Sequence, residues 1–394
     1  MRQKNFEQAL ALKKEGKNHS AISRLLGIRR PTIVSWLAEE IYADNRGWQE
    51  GKKRTHTDTE EDRIVALKQK RIDHKNYFLG APYIQMDYEK TFPSASVPTL
   101  WFVNEVMRRH ALQTHAPKKR SKGQSIVSRL KYPIRSIVEL GRIQQSSDFI
   151  GKKYIAGSRE PVSIFSTSYY QWLELYQIRR VPAEKAEYAI ESLAHIWTSF
   201  PLPQVMRMDN GSPFRGAVSR VAEVGRFLTF LLNLNIIPLF SAAYQSYTNP
   251  HVEGHNRTFT EKLWSKHHFT DIRQIDRECD RFNGESKEYF EHHFKERLSK
   301  QYIRHLTGSS IVDGDVLRST KGKKICFIRF VDRWKESDDR IGIVVMNCFV
   351  QIPEPYLNQY VLASLNLETA TLHILSEYDR ISKEILQVKF PFTL

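Results

Sequence analysis

Three acidic residues stand where they could do chemistry together. Asp148 ends the run Gln144-Gln145-Ser146-Ser147-Asp148-Phe149. Asp209 opens Asp209-Asn210-Gly211-Ser212-Pro213-Phe214. Glu253 lies in Asn249-Pro250-His251-Val252-Glu253-Gly254-His255-Asn256-Arg257. Carboxylates gathered in one small pocket cannot all stay ionised without a cation. Mg²⁺ or Mn²⁺, hard and oxygen-seeking, is the natural one. Two such ions about 4 Å apart clamp an in-line displacement at phosphorus, activating the attacking oxygen and stabilising the leaving one. Each acid alone has a plainer reading: Asp-Asn-Gly as a turn, Asp148 as a strand-end cap, Glu253 as a partner for a helix N-terminus. Taken in order and on suitable elements, they favour the cation-holding reading. Glu261, two helical turns past Glu253, is the alternative third acid.

The elements between these acids must bring them together. Residues 142–150 read as a strand, and Ser163–Ser166 and Trp172–Tyr176 as two more. A helix over Pro182–Thr198 follows, then a strand at Gln204–Met208, a helix over Val218–Leu234, a strand at Ile236–Leu239 and a long helix from Pro250. This order predicts a mixed sheet with helices packed on it. If its first and fourth strands are neighbours, Asp148 and Asp209 end side by side. A helix crossing the edge can then deliver Glu253.

The flanks point to a polyanionic partner. The formal net charge is +16, and Met1–Tyr132 holds 26 of the 60 Lys+Arg against 14 of the 44 Asp+Glu; from Asp271 onward the two balance. A basic, folded front end suits DNA, whose condensed counterions are released when its phosphates are neutralised. Residues 1–42 predict a helix-turn-helix: inward Phe6, Leu10 and Leu12, a break at Gly16-Lys17-Asn18-His19, a short helix with Ile22, Leu25 and Leu26, a turn at Gly27, and a last helix through Ile33, Val34, Trp36 and Leu37. Arg29, Arg30, Thr32 and Ser35 at the head of that last helix are types that reach phosphates and base edges. Residues 58–114 predict a second such unit. Its final helix runs inward through Leu100, Phe102, Val103, Val106 and Met107, with Thr99, Asn104, Arg108 and Arg109 as DNA contacts. Lys118, Lys119 and Arg120 read as a linker lying along DNA.

The rest of the chain bounds the reading. Residues 271–307 read as a charged helical connector and 320–394 as several short strands that suit a small barrel. His255, His267-His268 and His292-His293 read as solvated or DNA-facing. The three cysteines, with no Cys-x-x-Cys pair, predict reduced thiols and neither a disulfide framework nor a structural zinc site. No membrane span and no signal core is read, so the expectation is a cytoplasmic, nucleoid-associated protein.

The segment from Asp148 through Asp209-Asn210-Gly211-x-x-Phe214 to Glu253 and Asn256-Arg257 resembles the catalytic core of the retroviral-integrase and DDE-transposase superfamily. The whole chain is similar to bacterial insertion-sequence transposases. Family members often carry Pro-Gln and then Gly before the Glu, where this chain has Tyr247-Thr248-Asn249-Pro250-His251. The resemblance implies a multidomain α+β protein: tandem helix-turn-helix units, a mixed α/β RNase H-like core over 133–270, a connector, and an SH3-like barrel. It implies Asp148, Asp209 and Glu253 as catalytic metal ligands for two Mg²⁺ or Mn²⁺ ions, with Arg257 and Thr260 against the DNA ends. The expected activity is cleavage at the ends of a mobile element and transfer of the freed 3′-OH into target DNA. Partners would be double-stranded DNA and further copies of the chain, with an accessory ATPase compatible but not demanded. The alternatives are a DNA-binding regulator derived from an inactive transposase and a structure-selective nuclease.

Overall fold

The computed structural model describes residues 2–39, 56–113, 132–170, 175–216, 224–242, 250–298, 306, 316–334 and 340–392. It divides into two units, Met1–Arg63 and Ile64–Leu394. The first unit holds α1 (Arg2–Lys14), α2 (His19–Leu26) and α3 (Arg30–Glu39). Asn18 caps α2 by accepting from the Ala21 N–H at 2.9 Å, and Gly27 ends it in the left-handed region at φ 65°. Ala9, Ile22, Ile33 and Leu37 form the centre of this small core. Leu25 and Val34, expected inside, are exposed. On α2 the Ile22–Leu26 spacing defines the inward stripe, and on α3 Ile33–Leu37 does; Leu25 and Val34 fall beside those stripes.

The α4 helix (Asp58–Asp73) opens with a reciprocal Thr57–Glu60 capping box. With α5 (Ala81–Thr91) and α6 (Leu100–Arg109) it packs around Ile64, Ala81, Ile84, Tyr88, Phe102, Val103, Val106 and Met107. Leu100, expected inside, is 43% exposed, and Trp101 beside it is 72% exposed.

A short helix α7 (Ile134–Glu139) leads into the sheet. Its strands and helices run β1 (Gln144–Tyr154), β2 (Pro161–Tyr169), β3 (Tyr176–Val181), α8 (Ala186–Ser199), β4 (Val205–Met208), α9 (Ser212–Arg215), α10 (Arg226–Asn233), β5 (Ile237–Phe240), α11 (Pro250–Lys262) and α12 (Ile272–Leu298). β1, β2 and β3 are antiparallel neighbours, whereas β4 lies parallel to β1 and β5 parallel to β4. The predicted mixed sheet is present. Every residue of β4 is buried, as expected of a parallel strand covered on both faces. The third strand starts where its predicted counterpart ended, at Tyr176. Its Arg179 and Arg180 disguise it in the sequence, because the partner that pairs Arg180, Asp276, lies on α12.

The strands of the C-terminal segment are β6 (Lys324–Phe330), β7 (Asp332–Trp334), β8 (Arg340–Val345), β9 (Cys348–Gln351), β10 (Tyr360–Asn366), β11 (Thr371–Tyr378) and β12 (Ile381–Lys389). They are not set apart from the central sheet. β6 lies parallel to β5, and one nine-stranded sheet runs β12-β11-β10-β6-β5-β4-β1-β2-β3, with β7-β8-β9 as a separate three-stranded sheet. Phe327 stacks on Phe240 across the join, at 5.3 Å between ring centroids. One core of buried residues reaches from Phe165 to Phe390.

The segment expected as a connector covers the sheet's edge instead. An edge strand exposes unpaired N–H and C=O groups that must be blocked or covered. Along α12, Asn283 accepts from the Ile178 N–H at 2.9 Å and donates to the Ile178 carbonyl at 2.8 Å. Ser286 accepts from the Tyr176 N–H, and Asp276 holds Arg180. The same helix docks α4–α6. Glu285 accepts from the N–H groups of Tyr77 and Phe78, and Tyr77, Phe78, Tyr83 and Met86 share a core with Ile164, Phe259 and Phe282. The second helical unit is therefore part of the same body as the sheet. Asn283→Ala leaves both polar groups of buried Ile178 without their side-chain partner. It should lower the free energy of unfolding by about 2 kcal/mol, read as a lower urea midpoint at constant slope. An unchanged midpoint would mean that water replaces both bonds without loss.

Candidate active site

β1 and β4 run in register with Gln144 beside Val205 and Ser146 beside Arg207. Two residues further along each strand, the side chains are Asp148 and Asp209. Asp148 is half-buried. Its Oδ1 accepts from the Phe149 N–H and its Oδ2 from Asn256 Nδ2, both at 2.8 Å. Burial, with the charge of Asp209 added, pushes its carboxyl from the ordinary 3.8 up to about 7, against the pull of those two donors. Asp209 stands at the mouth of the site with its surface open. The protein packed beneath it still removes enough water to raise its carboxyl, against one hydrogen bond from the Gly211 N–H. Two neighbouring carboxylates that both resist ionisation are an arrangement that a bound cation would relieve.

A third carboxylate acts on Asp148, and sequence reasoning missed it. Glu184, in the loop before α8, adds its charge to Asp148. It reaches over β1 at Gly151, where any Cβ would meet its carboxylate oxygen at 2.3 Å. The only sequence signal for this is a glycine in the strand, which marks a close approach without naming the group that approaches.

The Asp-Asn-Gly-x-x-Phe block is explained by what each residue touches. Gly211 leaves room for the carboxylate: an added Cβ would lie 3.0 Å from Asp209 Oδ1. Phe214 is buried and stacks on Phe149, the residue after Asp148, at 5.4 Å between centroids. It ties the turn after β4 to the middle of β1. Asn210 donates to the Ser241 carbonyl at 2.8 Å and accepts from Arg329 at 3.0 Å.

The rotation of α11 is set by its buried stripe. His255, Phe259 and Leu263 face inward at helical spacing. His255 Nδ1 lies 3.0 Å from Ser166 Oγ on β2, and its ring lies against Tyr176. This orientation turns Asn256 onto Asp148 and Thr260 onto Lys153, at 3.2 Å. Glu253, Arg257 and Glu261 are left on the exposed face. The structure thus brings Asp148 and Asp209 together but leaves Glu253 outside the pair, one turn before Asn256. Among the described residues, no three His, Cys, Asp or Glu side chains converge as a metal site. The donors at hand are nonetheless all hard oxygens: the two carboxylates and Asn256 Oδ1, which is buried and has no hydrogen-bond partner among the described residues. That set fits a divalent, oxygen-seeking cation better than a soft one.

The expected DNA contacts are distributed as follows. Arg29, Arg30 and Ser35 are exposed on or beside the head of α3 and Thr32 is half-buried. Thr99 caps α6 through the Phe102 N–H, and Asn104 donates to the Leu100 carbonyl. Arg108 is exposed but engaged with Glu105, and Arg109 is exposed. Lys118, Lys119 and Arg120 lie outside the described residues. Several histidines are corrected. His255 is buried against β2, His267 packs on Tyr77, and His292 pairs with Glu89 at 2.6 Å. Their partners lie on distant segments, so neither position nor neighbours revealed these roles. Cys279 and Cys326 are buried and Cys348 half-buried, all free. No helix among the described residues is long and apolar enough to cross a membrane.

No family model and no curated protein matches the chain. Among solved structures it is similar to a simian T-cell lymphotropic virus intasome, at 13% identity over 78% of this chain and 98% of that one, TM-score 0.32. It is also similar to a pre-cleavage Mos1 transpososome, at 10% identity over 77% and 99%, TM-score 0.23. A third is the Mos1 mariner paired end complex with Mn, at 11% identity over 77% and 99%, TM-score 0.25. These superpositions are loose, and the weight of a functional reading falls on the chain's own side chains.

Proposed function

We propose that the chain is a DNA transposase of the DDE type, a polynucleotidyl transferase that cuts at the ends of a mobile element and joins the freed 3′-OH to target DNA. One observation carries this reading: Asp148 and Asp209, far apart in sequence, lie side by side along the parallel pair β1 and β4, where the charge of Asp209 helps to raise the Asp148 carboxyl. Two Mg²⁺ or Mn²⁺ ions bound there would supply activation of the attacking oxygen and stabilisation of the leaving one. Asp148 and Asp209 would be the carboxylates that hold them. Glu253 is the further ligand, one turn before Asn256 on the same side of α11. Asn256 holds Asp148 Oδ2 in place, and the buried stripe of α11 keeps that helix over the pair.

DNA contacts fall to basic and polar residues of both helical segments. Arg29, Arg30, Thr32 and Ser35 on the first helical unit, and Thr99, Asn104, Arg108 and Arg109 on the second, supply phosphate and base contacts. Lys118, Lys119 and Arg120 neutralise phosphates between them and the core, and Arg257 lies beside the reacting end. Two ends brought together require at least two copies of the chain, working on the nucleoid. The RNase H-like core carries the chemistry. A second reading, a DNA-binding regulator with an inactive core, draws its support from Glu253, which faces outward while an amide occupies its place beside Asp148.

The test is a joining assay with purified protein, short DNA carrying a candidate end, and supercoiled target. The transposase reading predicts Mg²⁺- or Mn²⁺-dependent nicking and joined products that a chelator abolishes. Binding of the end without any cutting or joining in either metal would leave the regulator.

A further inference from the structure

The buried guanidinium of Arg329, on β6, has no role in the account above. Its side chain is 8% exposed. Among the described residues its acceptors are all neutral. Nε donates to the Val344 carbonyl on β8 at 2.8 Å, and one terminal nitrogen donates to the carbonyls of Ser241 and Ile328, both at 2.9 Å. The other terminal nitrogen donates to Asn210 Oδ1 at 3.0 Å. A cation taken out of water without a carboxylate is expensive, so its retention calls for a reason beyond packing.

The geometry supplies one. Asn210 follows Asp209 directly, and its amide donates to the same Ser241 carbonyl that Arg329 grips. Arg329, Asn210 and Ser241 thus close a triangle of hydrogen bonds behind the turn that presents Asp209. The planar fork spans three separate pieces of backbone: the turn after β4, the end of β5, and β8. A lysine has no fixed fork and cannot satisfy all of these acceptors. We infer that Arg329 is a positioning residue for Asp209, acting through Asn210, and that it makes the C-terminal strands part of the active site's support. This inference rests on the catalytic reading of Asp148 and Asp209.

The test compares Arg329→Met, Arg329→Lys, Asn210→Ala and the double variant Arg329→Met/Asn210→Ala in the full chain. Asn283→Ala serves as a control for general destabilisation. The readouts are the rate and KM of strand joining and, independently, Mn²⁺ affinity by calorimetry. Arg329→Met and Asn210→Ala should each lower kcat about 30-fold with KM for DNA unchanged, and weaken Mn²⁺ about tenfold. The double variant should be little worse than either single one, since both break the same strut. Arg329→Lys should recover only part of the rate, and Asn283→Ala should keep wild-type kcat.

Asn210→Ala removes the strut from the half-buried side of the turn, so it reports even if Arg329→Met fails to fold. Wild-type kcat and Mn²⁺ affinity in Asn210→Ala, additive losses in the double variant, or losses matched by Asn283→Ala would overturn the inference. A wild-type protein that neither binds Mn²⁺ nor joins DNA would instead overturn the catalytic reading beneath it.

Discussion

Asp148→Asn should reduce metal-dependent strand joining by at least about 10³-fold, equivalent to ~4 kcal/mol of transition-state stabilisation, with DNA binding unchanged. The variant is nearly isosteric. Its amide can still accept from the Phe149 N–H, which donates to Asp148 Oδ1 at 2.8 Å, so β1 keeps its shape here. What it loses is the charge that binds a cation jointly with Asp209, and metal-borne stabilisation of phosphoryl transfer amounts to several kcal/mol. On the proposed reading, DNA affinity draws on other residues, among them the exposed Arg30 of α3 and Arg108 and Arg109 of α6. A gel-shift titration and a joining assay on one preparation check both halves. Loss of binding in parallel with activity would show that the substitution disturbs the fold rather than the chemistry.

The second large effect is on stability and its dependence on pH. In metal-free protein the Asp148 carboxyl rises from 3.8 to about 7, chiefly through burial and then through Asp209. The folded state therefore holds this proton more tightly than the unfolded chain does. Stabilisation from that proton is complete below pH ~4 and is lost as pH climbs towards 7. A rise of roughly three units corresponds to at most ~4 kcal/mol, and Asp209 shifts in the same direction. Apparent Tm should accordingly fall between pH 5 and 8 without metal. Adding Mn²⁺ or Mg²⁺ at pH 8 should raise it, because the ion binds the ionised pair in the folded state alone. Asp148→Asn should flatten both responses. Thermal melts at three pH values, with and without metal, check this. A wild-type Tm that rises from pH 5 to 8 in chelator has the wrong sign for the account.

Much of this site could be read from the sequence because its parts are local. The strand that carries Asp148, the turn Asp209-Asn210-Gly211 and the helical stretch after Pro250 each carry their own pattern of apolar spacing and turn residues, although β1 runs on to Tyr154 and leaves Asp148 in mid-strand rather than at its end. The order of these elements limits the sheet to few arrangements. What escaped notice depends on distant partners. β3 is hidden by Arg180, which is explained only by Asp276 on α12. The docking of α4–α6 depends on Glu285 meeting the backbone of Tyr77 and Phe78, more than 200 positions away. The join between β5 and β6 rests on just two paired positions, Leu239 with Cys326 and Phe240 with Phe327. No local period announces such a pairing, so the C-terminal strands read as a body of their own. The choice between Glu253 and Asn256 at Asp148 is a matter of helix rotation. That rotation is fixed by His255, Phe259 and Leu263, whose burial is a property of the assembled core. Glu184 gave no sign at all except the glycine beneath it.

The central claim is that Asp148 and Asp209 share one cation. The most direct test is a calorimetric Mn²⁺ titration of the wild type, Asp148→Asn and Asp209→Asn in the absence of DNA. The account predicts measurable Mn²⁺ binding by the wild type and its loss in each single variant, since one carboxylate alone supplies too little negative charge to hold the ion. Wild-type Mn²⁺ affinity in both variants would contradict it.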